Sequence, residues 1–90
     1  MRKSHELLLR LFHDPQYDFA NVTFDYVDRG APNDTSCISG VQVIRLDAQY
    51  IEVDAITHTA CIPYHRLRRI FYNDDEMWSL HAGDTNEYAR

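Results

Sequence analysis

The spacing of the apolar residues changes once along this chain, and this change constrains the fold more than any other feature. Before position 15, apolar residues recur at helical spacing, at Leu7, Leu8, Leu11 and Phe12. After position 21, apolar and polar residues alternate over short stretches, which is typical of half-buried strands. The sequence therefore predicts one N-terminal helix followed by strands.

The ends of the predicted helix are marked by polar residues and a proline. Ser4 is the predicted N-cap, since its hydroxyl can accept hydrogen bonds from the free amides of a first helical turn. Asp14-Pro15 ends the helix, because a residue before proline is forced out of the right-handed helical region. We expect the four apolar residues of the helix to be buried.

Five or six short strands are predicted after the helix. The first is Val22 to Asp28, and the others lie at 41–46, 49–53, 59–62, 68–72 and 76–78. Turn residues separate them at 29–35, 39–40 and 73–75, and Pro63 can open a single helical turn over 63–67. An antiparallel sheet that covers one helix buries the apolar faces of both. We therefore predict an α+β fold with one N-terminal helix packed on a small curled antiparallel sheet. The core residues expected to meet the helix are Phe24, Tyr26, Val43, Ile51 and Ile70.

The length and composition indicate a single globular domain. Ninety residues, of which 44% are hydrophobic, can bury one core. We place the compact domain at 1–78 and expect 79–90, which is poor in apolar residues, to be a loose tail. No apolar run approaches the length of a membrane span or a signal peptide, so we expect a cytoplasmic protein without a membrane partner.

The cysteines and histidines do not form a recognisable metal or disulfide pattern. Cys37 and Cys61 lack CxxC spacing, and we expect them to be reduced, unbridged and partly buried. The five histidines show no paired ligand spacing. The sequence therefore predicts no metal ion and no cofactor.

The stretch Ile62-Pro63-Tyr64-His65-Arg66-Leu67-Arg68-Arg69-Ile70-Phe71-Tyr72 contains three of the nine Lys and Arg residues and no acid. Guanidinium groups match phosphate or carboxylate oxygens, and tyrosine rings can stack on bases. The same residues also fit an ordinary strand whose arginines face water. The net charge of −5 argues against a protein that coats RNA generally, but it allows one local anion site.

Four sequence blocks in this order resemble a known family. They are Asp14-Pro15 after a leucine-rich helix, Asp28-Arg29-Gly30-Ala31-Pro32, Ser39-Gly40 and Ile62-Pro63-Tyr64-His65-Arg66-Leu67-Arg68-Arg69-Ile70. They resemble small archaeal proteins of the RNA cyclic-group-end recognition domain family, which also occurs as a module of larger eukaryotic proteins. The resemblance covers about residues 4–78. The family often has Trp before its Asp-Pro, where this chain has His13.

The resemblance implies that the ligand is a phosphate-bearing RNA end, such as a 2′,3′-cyclic phosphate. It implies RNA- and phosphate-binding roles for Arg29, Tyr64, His65 and Arg66. Asp28, Arg68 and Arg69 would support them. Because successive residues of a strand point to opposite faces, we expect at most one of Arg68 and Arg69 to share the site.

Two other functions remain alternatives. A phosphoesterase or transferase acting on RNA or nucleotide phosphates would need an acid and a base, and His65 supplies only one of them. A protein-interaction adaptor would use the basic stretch to dock an acidic partner. We therefore favour a binding module over an enzyme, with RNA as the partner and no inferable preference for DNA.

Overall fold

A computed structural model describes residues 2–80, which form one α-helix and seven strands in two antiparallel sheets, joined by loops and short 3-10 turns. The elements are α1 (Lys3–His13), β1 (Val22–Val27), β2 (Thr35–Ser39), β3 (Val43–Leu46), β4 (Tyr50–Asp54), β5 (Thr59–Pro63), β6 (Leu67–Tyr72) and β7 (Asp75–Ser79). The predicted α+β class with an N-terminal helix is confirmed. Most of the predicted tail, from position 81 onward, lies outside the described residues.

The strands form two sheets where a single curled one was expected. The strand order is β2-β1-β6-β7 in the larger sheet and β3-β4-β5 in the smaller one. The strand that was not predicted is β2, whose burial pattern shows Ile38 as its only buried residue. With one buried apolar position, the stretch has no alternation to recognise. A short 3-10 turn, Tyr64–Arg66, joins the two sheets and is called the connecting turn below.

Helix α1 begins earlier and is rotated differently from the prediction. Its N-cap position is Arg2, so the assignment of Ser4 as N-cap is wrong; Ser4 lies in the first turn and is buried. The helix ends at His13, before Asp14-Pro15, as predicted. Leu8 and Leu11 are fully buried, but Phe12 is 43% exposed. At 3.6 residues per turn the buried face is centred on positions 4, 8 and 11, which leaves Phe12 on its flank.

The helix and both sheets share one hydrophobic core. Phe24, Ile51 and Ile70 are buried, as predicted, whereas Tyr26 and Val43 are half-buried and pack against the core from outside. The buried apolar residues are Leu8, Leu11, Val22, Phe24, Ile38, Ile51, Val53, Ile62, Tyr64, Leu67 and Ile70. This shared core holds the connecting turn in place, because the turn begins with the buried Tyr64.

A bulge in β6 changes the direction of its arginines. Leu67 lies opposite Tyr26 in β1 and Arg69 lies opposite Asp25, so Arg68 is an extra residue in the pairing. Both arginines are exposed, between buried Leu67 and Ile70. The expectation that Arg68 and Arg69 face opposite sides is therefore wrong, because the extra residue interrupts the strand alternation.

Both cysteines are free and exposed. The prediction that they are unbridged is confirmed, and the prediction that they are partly buried is wrong, because each lies at an outward-facing strand position. Within residues 2–80, no helix has the length and hydrophobicity that crossing a membrane requires.

Candidate functional site

The predicted site residues are distributed over three cavities and one loop. Tyr64 and His65 line one cavity, Asp28 and Arg66 line a second, and Arg68 and Arg69 line a third. Arg29 is exposed in the loop that follows β1. The structure thus separates residues that are adjacent in the sequence, and it joins Asp28 to Arg66, which are far apart in the chain.

The first cavity, called the helix cavity, lies beside the start of α1 and has a volume of about 600 Å³. Its lining includes Arg2, His5, Leu9, Asp47, Tyr64 and His65. His5 and Tyr64 stack with ring centroids 3.9 Å apart and an angle of 16° between the rings. Both rings are more than nine-tenths buried. The stack therefore forms a fixed wall of the cavity.

Burial changes the titration of both rings in this wall. Burial, and next the nearby Asp47, raises the pKa of Tyr64 to about 12, and the Tyr64 hydroxyl donates a 2.7 Å hydrogen bond to the Asp47 carbonyl. Burial is also the largest cause that lowers the pKa of His5. A buried His5 is therefore neutral near pH 7 and presents one donor and one acceptor nitrogen. The next residue after Tyr64, His65, is exposed on the connecting turn.

The second cavity, called the junction cavity, has a volume of about 430 Å³ and is lined by residues of both sheets. Its lining includes Tyr26, Asp28, His58, Cys61, Pro63 and Arg66. The Ser36 hydroxyl donates a 2.6 Å hydrogen bond to the Asp28 carboxylate, which fixes this acid in the wall. Burial, followed by the charge of Asp28, raises the pKa of Tyr26, so its hydroxyl stays protonated and can donate.

The loop after β1 contains Arg29, which follows Asp28 in the chain but does not itself line the junction cavity. The Asp28 amide donates to the Asp34 carbonyl at 2.8 Å, and the Ala31 amide donates to the Asp28 carbonyl at 3.1 Å. Gly30 has a φ of 98°, which an L-residue with a Cβ rarely adopts. The glycine thus allows the tight loop that contains the exposed Arg29.

The third cavity, called the sheet cavity, lies on the face of the larger sheet that points away from the core. Its lining includes Asp25, Thr35, Arg68, Arg69, Glu76 and Ser79. Arg69 Nε donates a 2.8 Å hydrogen bond to the buried Asp25 carboxylate, and its guanidinium lies 5.1 Å from the centre of the Phe71 ring. Arg69 therefore forms a structural ion pair with Asp25. The negative charges of Asp25 and Glu76 balance the positive charges of Arg68 and Arg69 in this cavity.

A known family covers almost the whole chain. The family model of the MJ1316 RNA cyclic group end recognition domain matches residues 1–79. The chain belongs to this family. No curated protein and no solved structure matches the chain significantly. Membership in the MJ1316 family confirms the resemblance drawn from the four sequence blocks.

Two of the blocks that carried the resemblance to the MJ1316 family meet in only one of the three cavities. The junction cavity is lined by Asp28 of the Asp-Arg-Gly-Ala-Pro block and by Pro63 and Arg66 of the Ile-Pro-Tyr-His-Arg block. Of these two blocks, only the Ile-Pro-Tyr-His-Arg block contributes residues to the lining of the helix cavity and of the sheet cavity. The junction cavity is therefore the strongest candidate site among the described residues.

Three lining or supporting residues were missed by the sequence reasoning. His5 reaches the helix cavity from α1, His58 reaches the junction cavity from the β4–β5 hairpin, and Ser36 supports Asp28 from β2. None of them lies in a sequence block with a phosphate-binding spacing. Their proximity to the site depends on how the two sheets pack together. No group of three or more potential metal ligands occurs within residues 2–80.

Proposed function

We propose that this domain binds a phosphate-bearing RNA end, with the terminal phosphate in the junction cavity. The observation that carries the proposal is the meeting of the two motif blocks there, in a chain of the MJ1316 RNA cyclic group end recognition family. A cavity of about 430 Å³ falls within the size range of small-ligand sites.

In this proposal Arg66 is the main phosphate ligand. Arg66 lines the cavity, and a guanidinium presents several donors, which suits the oxygens of a phosphate. We assign Arg29, in the loop that follows Asp28, as a second phosphate ligand, and His58 of the cavity lining as a further hydrogen-bond donor. His65 contacts the RNA where it crosses the connecting turn. Tyr64, whose ring is buried, holds the start of that turn in position.

Asp28 gives the cavity a preference for one kind of phosphate. A 2′,3′-cyclic phosphate is a diester with one negative charge, whereas an open terminal phosphate carries about −1.5 to −2 near pH 7. A fixed carboxylate in the same cavity repels the second charge and so works against the extra attraction that Arg66 gives a doubly charged phosphate. We therefore propose the cyclic, singly charged end as the preferred ligand.

Equilibrium binding to labelled hexanucleotides of one sequence tests the function. The three probes end in a 2′,3′-cyclic phosphate, a 3′-phosphate or a 3′-hydroxyl, and fluorescence anisotropy is read at one fixed salt concentration. We expect the cyclic end to bind about tenfold or more tightly than the hydroxyl end, because a charge-assisted contact contributes roughly 1.5–3 kcal/mol. Equal affinity for the cyclic and hydroxyl ends would exclude end recognition. Conversion of the cyclic probe to an open phosphate, followed by chromatography, would favour the enzyme alternative.

The variant Asp28→Asn tests the charge preference. An asparagine oxygen still accepts a hydrogen bond from Ser36 but carries no charge. We therefore expect the affinity for the 3′-phosphate probe to rise about tenfold relative to the affinity for the cyclic probe. The matched control is Asp75→Asn, which removes the same charge from an exposed strand position that lines none of the three cavities. An equal change in both variants would mean that net charge, and not Asp28 itself, sets the preference.

A further inference from the structure

The helix cavity is the largest of the three cavities, and the phosphate-binding proposal leaves it unused. Its walls combine apolar surface with polar groups. Leu9, Leu46 and the Tyr64 ring supply apolar surface, while the neutral His5 ring supplies one donor and one acceptor nitrogen. Its volume of about 600 Å³ exceeds that of the junction cavity.

The charges lining the helix cavity do not favour a second phosphate. Arg2 and Asp47 both line it, so the cation there is offset by an anion. The Asp47 carboxylate also lies 3.6 Å from the Arg45 guanidinium and accepts a 2.6 Å hydrogen bond from the Ala48 amide. A neutral, flat ligand with an apolar face and a polar edge fits these walls better than an anion does.

The connecting turn links this cavity to the proposed phosphate site. His65 lines the helix cavity and Arg66, the next residue, lines the junction cavity. Both side chains are exposed on a turn whose first residue is anchored in the core by a hydrogen bond to β3–β4. A ligand that Arg66 holds by its phosphate is therefore held one residue along the turn from a residue that lines the helix cavity.

We propose that the helix cavity binds the nucleobase attached to the RNA end, with the exposed His65 ring stacking on the base and His5 meeting its polar edge. This inference rests on the proposed function, since the sugar joins the base to the phosphate held by Arg66. Stacking on an aromatic ring tolerates every base, so the stacking contact requires a base without requiring one base identity.

The test removes the base and keeps the phosphate. Two hexanucleotides carry a 2′,3′-cyclic phosphate and differ only in the last nucleotide, which is adenosine or a base-free 1-deoxyribose. We expect the base-free probe to bind the wild-type domain about tenfold more weakly, because base stacking contributes roughly 1–3 kcal/mol. His65→Ala should reduce this difference in affinity. Arg66→Ala should weaken the binding of both probes and preserve the ratio of their affinities.

The control variant is His13→Ala, which removes an exposed histidine of α1 that lines none of the three cavities. It should leave the ratio of the two probes unchanged. The same pair of probes with 3′-hydroxyl ends separates the two proposals: a base effect without any end preference would remove the phosphate proposal and keep the base pocket. Wild-type affinities within twofold of each other for the adenosine and base-free probes would overturn the inference, as would an equal effect of His13→Ala and His65→Ala.

Discussion

Replacing Phe24 with alanine is expected to lower the free energy of unfolding by about 3–5 kcal/mol, the largest effect of any substitution considered for this domain. Phe24 is fully buried in the middle of β1, between β2 and β6, and is among the largest buried side chains. Its removal loses apolar burial and leaves a cavity that the neighbouring strands cannot close. Since small domains have about 5–15 kcal/mol of stability, much of the total would be lost.

Phe12→Ala is the matched control, because it deletes the same side chain from an exposed position. Phe12 is 43% exposed and its ring meets Phe19 edge-on at 5.0 Å. Loss of one aromatic pair is expected to cost about 0.5–1.5 kcal/mol. Urea denaturation followed by circular dichroism measures both values. If Phe12→Ala were as destabilising as Phe24→Ala, the assignment of the buried helix face would be wrong.

The parts of the fold that were predictable from sequence depend on local patterns. The end of α1 follows from the proline at position 15, and the β6–β7 turn follows from Asn73 and Asp74, which tolerate the positive φ angles of 50° and 69° found there. Strand β1 was predicted because its apolar residues alternate. In these cases the information lies within a few consecutive residues.

The features that were not predictable depend on tertiary structure. The bulge at Arg68 arises from the pairing of β6 with β1, and no residue in the strand marks it. Strand β2 forms because β1 offers it a partner edge, although only Ile38 is buried. The division of His65 and Arg66 between two cavities depends on where the two sheets meet. The sequence blocks therefore indicated which residues to consider, but not how they are grouped.

Arg66→Ala carries the largest expected effect on binding. Arg66 lines the junction cavity together with Asp28, and in the proposed complex its guanidinium makes the charge-assisted contact to the terminal phosphate. Such a contact contributes roughly 1.5–3 kcal/mol, so we expect the affinity for the cyclic-ended hexanucleotide to fall by about 10- to 150-fold. The affinity for the hydroxyl-ended probe should change much less, since that probe lacks the terminal phosphate.

Two further arginine variants show whether the effect belongs to this position. Arg10→Ala removes an exposed charge from α1, and Arg68→Ala removes one from the bulge that faces the sheet cavity. Each variant lowers the net charge by one, as Arg66→Ala does. Each should therefore weaken the binding of both probes slightly and equally, through the loss of long-range electrostatic attraction. Anisotropy titrations at two salt concentrations measure this difference. A loss in Arg68→Ala that matched Arg66→Ala and depended equally on the cyclic end would contradict a phosphate site confined to the junction cavity, because only a direct contact distinguishes the two ends.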